Sequence, residues 1–479
     1  MNITENKRPY KLPDPLYCEA GAEVTMELVN KYIRLHEDRL PRYRYLENLY
    51  KGFHNIFLLP EKENWKPDNR LAVNFPKYIT DIFMGFGYGI PIKRHHPDEK
   101  TNEVFKDFDR RNNIEDHEFE MIKNVCKFGH AFEYFYQDEE AHTRVARNTP
   151  IEAFVVYENT LSKKARFAVR YGYDETGATK YGEVLLCDEV KQFKGDIFTE
   201  NGTAPNPYGK IPIVEWVMNE ERMSLFESIA GLTEVFNKTL AEKANDVDAF
   251  AEAYLVILGA EVDDEGIYRI RDNRIINMYG TDNAKDILVQ FLTKPTADDT
   301  QENLLERMES LIHKISMIID MSNENFGNAT GEALAHKLMP TSNVVKFFNR
   351  KIRKSLKKRY KLFCCIPANI ADKNAWEDIE FNFTQNLPRN VKNEAETAQA
   401  LEGVVSKETQ LSVLSIVEDV SEEIKKIEKE EKEAREKAEE ISNGILGFGA
   451  VAKNATTTEE NSATEKNKGT NSETAVVNN

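Results

Sequence analysis

Nine basic side chains and no acidic one fall within the stretch VKFFNRKIRKSLKKRYKL, residues 345–362. Such a run could bind nucleic-acid phosphates, because Lys and Arg neutralise phosphate charge. The commoner alternative is a solvated helix face whose charges pair with acids of neighbouring segments. The sequence leaves both readings open. The candidate contacts on this basic helix, residues 346–361, are Lys346, Arg350, Lys351, Arg353, Lys354, Lys357 and Lys358.

Acidic and histidine residues offer weaker candidates for chemistry. Residues 263–265 (DDE) and the pair Asp107 and Asp109 could serve as general acids or metal ligands. Neither group has a base, nucleophile or ligand set beside it, so we interpret them as surface acids in turns. The adjacent His95 and His96 lack the spacing of a zinc site, and we expect both in an exposed loop.

No other motif indicates catalysis or a cofactor. The glycines of GFGYGIP (residues 85–91) are spaced GxGxG, with a predicted helix before them and Pro91 after them, which favours a helix end over a phosphate loop. The five cysteines form no CxxC pair, so a disulfide framework or zinc site is not expected. P-loop and GxSxG signatures are absent. We therefore predict no catalytic residue, no metal, no cofactor and no enzymatic activity.

Composition excludes further classes of protein. The 479 residues carry a net charge of −17, which argues against a histone-like nucleic-acid binder. No apolar stretch approaches the roughly 20 residues that cross a bilayer, so no membrane contact is expected. The N-terminal residues include no apolar segment of the signal-peptide type, and we expect the chain to stay in the cytoplasm where it is made.

Helices and strands alternate along the chain in a distinctive order. Residues 24–50 predict an amphipathic helix with a break at Pro41, and residues 75–86 and 104–127 predict two more. Residues 129–217 alternate aromatic and β-branched side chains between turns, which predicts antiparallel strands. Two long apolar-striped helices, residues 224–250 and 299–321, then bracket a β-rich insert.

The remaining segments predict a loop, a third long helix and a charged helical end. A loop over residues 322–331 precedes a helix that continues to about Cys365 with a kink at Pro340. Residues 376–383 alternate as a strand. Helices follow at residues 391–402, 407–414 and 421–440, and the composition after Asn443 predicts disorder.

This order of segments, with four sequence motifs, resembles the portal proteins of tailed bacteriophages. The resemblance covers about residues 20–440. The motifs are NFPKYITDIFMGFGYGIPI near the N-terminus, GKIPIVEWVMNEERMSLFESIAGLTEVFNKTLAEKANDVDAFAEAYLVILG (Gly209–Gly259), NFGNATGEALAHKL (Asn325–Leu338) and FTQNLPRNVKNEAETAQALEGVVSKETQL (Phe383–Leu411).

The resemblance implies an α+β, ring-forming architecture with named parts. These are a mixed α/β wing (1–223), a stem helix (224–252), a β-rich clip (253–298), a second stem helix (299–321), a tunnel loop (322–331), the wing's kinked helix and strand (332–390), a helical crown (391–442) and a disordered tail (443–479).

It also implies site residues. The tunnel-loop residues are Asn323, Asn325, Phe326, Gly327, Asn328, Thr330 and Gly331; the clip contacts for the motor or connector are Arg269, Arg271, Asp272 and Arg274; the basic-helix residues named above would contact DNA or form the ring interface.

The function implied is a ring, commonly of twelve copies, at the portal vertex of the virion capsid, assembled in the host cytoplasm. Double-stranded DNA would enter and leave through its channel. The implied partners are the terminase large subunit, the major capsid and scaffolding proteins, and head-completion or adaptor proteins. Two other classes stay open from the residues alone. One is a cytoplasmic regulator that binds nucleic acid through residues 346–361, and the other is a hydrolase with a scattered active site.

Overall fold

The structure, a computed structural model, describes residues 14–63, 66–251, 255–258, 288–291, 298–321, 331–386, 391–414, 416–417 and 420–451. The chain divides into two compact units, Met1–Leu387 and Pro388–Asn479. Helices and strands are mixed in the first unit, and the described elements of the second are helices. The α+β class predicted from the sequence is confirmed.

Five helices form the N-terminal part of the first unit: α1 (Met26–Glu37), α2 (Leu40–Lys51), α3 (Phe75–Tyr88), α4 (Glu99–Arg111) and α5 (Ile114–Phe128). The predicted break near Pro41 is confirmed, and Pro41 lies in the first turn of α2, where its missing N–H costs nothing. The single helix predicted over 104–127 is wrong. Asn113 adopts φ 47° between α4 and α5, a left-handed conformation that a helix does not continue through.

The predicted antiparallel strands form two sheets. The three-stranded sheet has the order β10-β3-β4, and the six-stranded sheet has the order β1-β5-β6-β7-β8-β9, with β1 and β5 parallel. The strands are β1 (Leu16–Cys18), β2 (Lys93–His95), β3 (His130–Gln137), β4 (Thr143–Asn148), β5 (Ala153–Glu158), β6 (Ala165–Tyr173), β7 (Lys180–Leu185), β8 (Glu189–Lys194), β9 (Ile197–Pro205) and β10 (Ile213–Val217).

Two long helices follow the sheets, as the apolar stripes predicted, but both are shorter than predicted. Helix α6 (Ala230–Ala251) begins after a 3-10 turn at Glu227–Ile229, and Ser224 N–H donates to the Glu227 carboxylate ahead of that turn, as at a helix N-terminus. Helix α7 (Asp298–Ser316) ends before Met317, which has φ 59°. Between them the structure describes β11 (Leu255–Leu258) and β12 (Leu288–Phe291), an antiparallel pair.

Helix α8 (Gly331–Phe363) is the longest element of the first unit and includes Pro340. Beyond it, the strand predicted over 376–383 is only partly present: a 3-10 turn at Ala375–Asp378 precedes β13 (Glu380–Asn382), which pairs with β2. The prediction of two exposed loop histidines is therefore half wrong for each: His95 is exposed but lies in a strand, whereas His96 follows the strand but is buried, with 5% of its surface exposed.

Three hydrophobic clusters lie among the described residues of the first unit, and the smallest of them contains Phe132, Val155 and Ile211. The largest cluster packs α8 against helices α2 to α5, β10 and the long helices, with Trp216 and Phe226 fully buried. The second cluster packs α1 onto one face of the six-stranded sheet through Val29, Ile33 and Phe167. Since each element buries one apolar face, its polar face is left for the surface.

The second unit contains α9 (Val391–Ala400), α10 (Lys407–Ser412) and α11 (Val420–Val451). Within it, Lys407 forms a 3.0 Å salt bridge with Glu431. Helix α11 continues past Asn443, where composition predicted disorder; residues 452–479 of that predicted tail lie outside the described residues. None of the described helices combines the length and the apolar content that a membrane span requires.

Candidate functional site

Helix α8 carries the basic stretch, and its two faces differ sharply. One face buries Val345, Phe348, Ile352, Leu356 and Tyr360, which follow one another at steps of three and four. That spacing keeps apolar side chains on one side of a helix, so the intervening Lys and Arg residues are directed mainly to the opposite side. The core thus fixes which way the cations point.

Arg359 is the exception among the nine basic residues, because it is fully buried. Its guanidinium donates to the Glu133 carboxylate at 2.7–3.1 Å, pairs with Glu118, and stacks 4.9 Å from the ring of Trp216. A buried cation held by two carboxylates cannot reach a ligand in solution. Arg359 is therefore a structural residue and no phosphate contact.

More charged groups extend this buried network. Arg94 pairs with Glu118 at 2.9 Å and with Asp109 at 3.3 Å, and Tyr360 donates to Asp109 at 2.6 Å. Burial raises the pKa of Asp109. Asp109 of α4 is thus half-buried and pairs with one other helix, α8, and one strand, β2, which corrects its interpretation as a surface acid. Asp107 does pair with exposed Arg110 and Arg111.

Glu133 shows how the network sets protonation. Burial alone would raise its pKa, but the charge of Arg359 and the hydrogen bond from His117 more than offset burial and lower the pKa to about 2. His117 Nε2 lies 2.8 Å from Glu133 Oε1. Glu133 therefore stays ionised at neutral pH despite having no solvent exposure.

A second charged cluster lies on β10. Glu215 accepts hydrogen bonds from Arg222 at 2.6 and 2.8 Å, faces His130 Nδ1 at 2.9 Å, and accepts from the Tyr157 hydroxyl. Burial would raise the pKa of Glu215, yet Arg222 and His130 hold it well below its ordinary value. Sequence reasoning missed Glu215, because its partners come from β3, β5 and the segment after β10.

The candidate cations on α8 have different environments. Lys351 pairs with Glu220, Arg353 donates to the Phe381 carbonyl at 3.3 Å, and Lys357 donates to the Glu377 carbonyl at 3.2 Å. These contacts agree with the solvated-face interpretation. Arg350 lies 5.9 Å from the ring of its own helix neighbour Phe347.

Two adjoining clefts lie along the same side of α8. The larger, with a volume of about 1060 Å³, separates α8 from β1, β5 and β10, and the smaller, of about 430 Å³, faces Trp376. Lys354 and Lys358 line both clefts, whereas Lys346 is exposed and lines neither. The structure therefore groups six of the seven candidate contacts at these clefts: Arg350, Lys351, Arg353, Lys354, Lys357 and Lys358.

Of the other predicted site residues, the described part of the chain includes only Gly331. Asn323, Asn325, Phe326, Gly327, Asn328 and Thr330 lie outside the described residues, as do Arg269, Arg271, Asp272 and Arg274. Gly331 is the first residue of α8. The acidic residues 263–265 also fall outside the described part of the chain.

A segment that sequence reasoning passed over lies along α6. This strap, residues 53–63 and 66–73, bonds to polar side chains of the helix. Asn55 N–H donates to Glu234 at 3.1 Å, Lys62 pairs with Glu242 at 3.0 Å, and Asn69 N–H donates to Asn245 at 2.6 Å. The strap then returns, and Val73 N–H donates to Asn237 at 2.8 Å. Six of its exposed side chains are large and apolar, Phe53, Phe57, Leu58, Leu59, Leu71 and Val73, and polar or charged residues are exposed between them.

Potential metal ligands approach one another at two places among the described residues. One group is Asp138, Glu140 and His142, and the other is Glu309, His313 and Asp320. Arg144 already pairs with Asp138 at 2.6 Å, and His313 Nδ1 lies 3.1 Å from the Ile318 carbonyl. Ordinary protein contacts account for these groups.

Comparison with known proteins adds sequence relatives. The sequence model of a family described as phage portal protein, SPP1 Gp6-like, matches residues 29–437. The portal protein of Bacillus phage SPP1 is 23% identical over 383 residues, which cover 73% of this chain and 74% of that protein. The portal protein of Clostridium phage phiCD119 is 21% identical over 382 residues, which cover 71% of this chain and 79% of that protein.

Proposed function

Because the chain belongs to the SPP1 Gp6-like family of phage portal proteins, we propose that it assembles into a ring at the portal vertex of a capsid and encloses the channel for the genome. The family match over residues 29–437 carries the proposal. The matched residues extend into both compact units, so the proposal concerns the whole subunit and not one shared domain.

The order of elements supports the assignment of parts. Helix α6, the β11–β12 pair and α7 follow one another as stem helix, clip and stem helix would. The first unit up to β10, with α8 and β13, corresponds to the wing, and α9 to α11 correspond to the crown. Residues 322–331 would be the tunnel loop facing DNA, and Arg269, Arg271, Asp272 and Arg274 would contact the motor or connector.

Exposed apolar side chains support assembly. Phe53 is 65% exposed and Leu58 is 81% exposed on the strap, and Val235 and Val247 are 53% and 63% exposed on α6. Large apolar groups clustered on a surface mark an interface, since leaving them in water is unfavourable. In a closed ring, each subunit would cover this patch against a neighbouring subunit.

The proposed partners follow from this role. Double-stranded DNA would pass through the channel, the terminase large subunit would dock for packaging, and head-completion proteins would replace it. The major capsid and scaffolding proteins would surround the ring in the virion. A net charge of −17 suits a channel that must not hold DNA tightly, because a largely acidic wall repels phosphates.

The mass of the assembled protein tests the proposal. Twelve copies of a 55.1 kDa chain have a mass of about 660 kDa. We expect light scattering of the purified full chain to give a mass of several hundred kilodaltons, and negative-stain images to show rings with a central hole. A stable monomer that binds duplex DNA with a steep salt dependence would instead support the regulator that uses residues 346–361.

Packaging by the assembled ring tests the channel role separately. Replacing Gly327 by Val is expected to impair DNA packaging while rings still form, because the loop would lose backbone freedom. Normal packaging by this variant would reject the tunnel-loop assignment and leave ring assembly unaffected.

A further inference from the structure

The larger cleft beside α8 holds far more positive than negative charge. Eight basic side chains and two carboxylates line it. Glu215 is already paired with Arg222, and Glu220 with Lys351. The other six cations form no salt bridge with any carboxylate that the structure describes: Lys163, Lys164, Lys210, Lys354, Lys358 and Lys361.

This surplus is unusual in a chain whose net charge is −17. The six lysines come from three separate places, the β5–β6 turn, the segment before β10, and α8, so no single charged helix face explains it. Desolvation in the cleft lowers the pKa of Lys358, the charge of Glu215 raises it, and Lys354 and Arg222 lower it. Like charges gathered in a concave site attract anions, because the low-dielectric walls focus their field.

The floor of the cleft is apolar. Val155 and Ile211 are buried there, and Ile213, Val217 and Leu362 also line it. Its volume of about 1060 Å³ is at the upper end of the roughly 300–1,000 Å³ found for small-molecule sites. A single phosphate would be too small to fill the cleft and has no apolar group to contact its floor.

The backbone of β10 adds hydrogen-bonding groups. Pro212 accepts from Phe135 N–H and Met218 N–H donates to Gly129, both at 2.8 Å, so the even-numbered residues of this strand face β3. The odd-numbered residues therefore turn their N–H and C=O groups away from β3. Ile213 N–H already donates to the Ile211 carbonyl at 2.8 Å, and the Glu215 carbonyl accepts from the Ser355 hydroxyl at 3.3 Å. Val217, which lines the cleft, is the third of these residues.

We propose that this cleft binds an acidic polypeptide segment with apolar side chains, contributed by a different protein. Its carboxylates would meet the six lysines, its apolar side chains would cover the floor, and its backbone could bond to β10. Each subunit contains the whole cleft, so the proposal does not rest on ring assembly.

Polypeptide fits this site better than nucleic acid. A duplex presents phosphates on a broad convex surface and has no apolar groups for a floor of Val155, Ile211 and Leu362. Glu215 and Glu220 also sit among the lysines, which suits mixed contacts more than a phosphate track. Acidic side chains that alternate with apolar ones match both features.

Fluorescence anisotropy with the purified full chain tests the proposal. The probe is a fluorescein-labelled peptide of about 12 residues that alternates Glu and Leu, long enough to extend roughly 40 Å. An all-Glu peptide of equal length and a duplex of about 20 base pairs serve as comparisons. The test variants are Lys354→Glu with Lys358→Glu, and the milder Lys354→Gln with Lys358→Gln. The control, Lys100→Glu with Lys194→Glu, makes the same charge change at exposed positions outside both clefts.

We expect saturable binding of one Glu–Leu peptide per subunit. The affinity for this peptide should be at least tenfold lower in both test variants and unchanged in the control. The affinity of the unmodified chain for the all-Glu peptide should also be lower. Equal affinity of the test and control variants would overturn the proposal. Tighter binding of duplex DNA that the same substitutions abolish would make this a nucleic-acid site. No peptide binding, with failed assembly of the test variants alone, would make the cleft a contact between copies of this chain.

Discussion

Arg359 and Glu133 form a fully buried, two-point ion pair that joins the C-terminal part of α8 to β3 across 226 residues of chain. Arg359 Nη2 lies 2.7 Å from Glu133 Oε1, and Nε lies 3.0 and 3.1 Å from the two carboxylate oxygens. Glu118 pairs with the same guanidinium. The pair therefore fixes which side of α8 faces the core and which side is left to the cleft lysines.

Replacing Arg359 by Ala should lower the free energy of unfolding by about 3–5 kcal/mol, because Glu133 and Glu118 would stay buried without a cation. Urea unfolding followed by tryptophan fluorescence would measure the change. Lys100→Ala, at an exposed position, should change stability by less than about 0.5 kcal/mol. Equal midpoints for the two variants would contradict the structural role of Arg359.

Gly129→Ala should be severely destabilising. Gly129 ends α5 with φ 86°, and an added Cβ would lie 1.9 Å from the Arg222 carbonyl oxygen. Backbone of the neighbouring segment would have to move, and Arg222 would lose its position against Glu215. The matched control is Gly177→Ala, which has φ 71° and open space around the new Cβ. We expect a loss of only about 1 kcal/mol there, so comparable losses at both sites would count against the close approach.

Acid should weaken the first unit in two overlapping ranges of pH. Burial lowers the pKa of His36 to about 3, so the folded state keeps it neutral while the unfolded chain binds a proton below about 6.5. Stability from this group is thus lost as pH falls from 6.5 towards 3. Glu133, with its pKa lowered to about 2, stabilises fully above 4.5 and less as pH falls towards 2.

Urea unfolding at pH 7, 5 and 3 would measure this loss. His36→Phe should reduce the slope between pH 6 and 4 by about 1.4 kcal/mol per pH unit, because one coupled proton is removed. The variant also loses the 2.8 Å bonds from His36 to Tyr171 and to the Pro150 carbonyl, so its stability at pH 7 should fall as well. An unchanged slope would show that His36 is not held neutral in the folded state.

Leu58→Lys should impair ring assembly while the subunit stays folded. Leu58 is 81% exposed on the strap, so the substitution breaks no internal contact but charges the proposed interface. Light scattering would report the loss of mass, and circular dichroism would report folding. Ile197→Lys, 71% exposed on β9, is the control and should assemble normally. Full assembly of Leu58→Lys would remove the strap from the interface.

Local patterns in the sequence were enough for most elements. The start of α3 at Phe75, the strands between residues 130 and 217, and the basic face of α8 all follow from side-chain spacing within a short window. Boundaries failed where local backbone geometry decided them. The first turn before α6 is 3-10, so the α-helix itself starts only at Ala230, and Asn113 divides α4 from α5.

The site itself was less predictable. The sequence identified the cations of α8 but could not distinguish buried Arg359 from exposed Lys358 beside it, because the partners of Arg359 lie more than two hundred residues away. Glu215 and Lys210 showed no signal, since isolated charges acquire meaning only when β10 meets α8. The strap also gave no sequence signal, because its apolar residues follow neither helical nor strand periodicity.

The long separation between Glu133 and Arg359 also sets an order for folding on the ribosome. At roughly 5–20 residues per second, the 226 residues between them take about 10 to 45 s to synthesise. Until then, Glu133 on β3 has its partner His117 of α5 but lacks the guanidinium that pairs with it in the finished core. A nascent chain can therefore complete this buried network only after most of α8 has been translated.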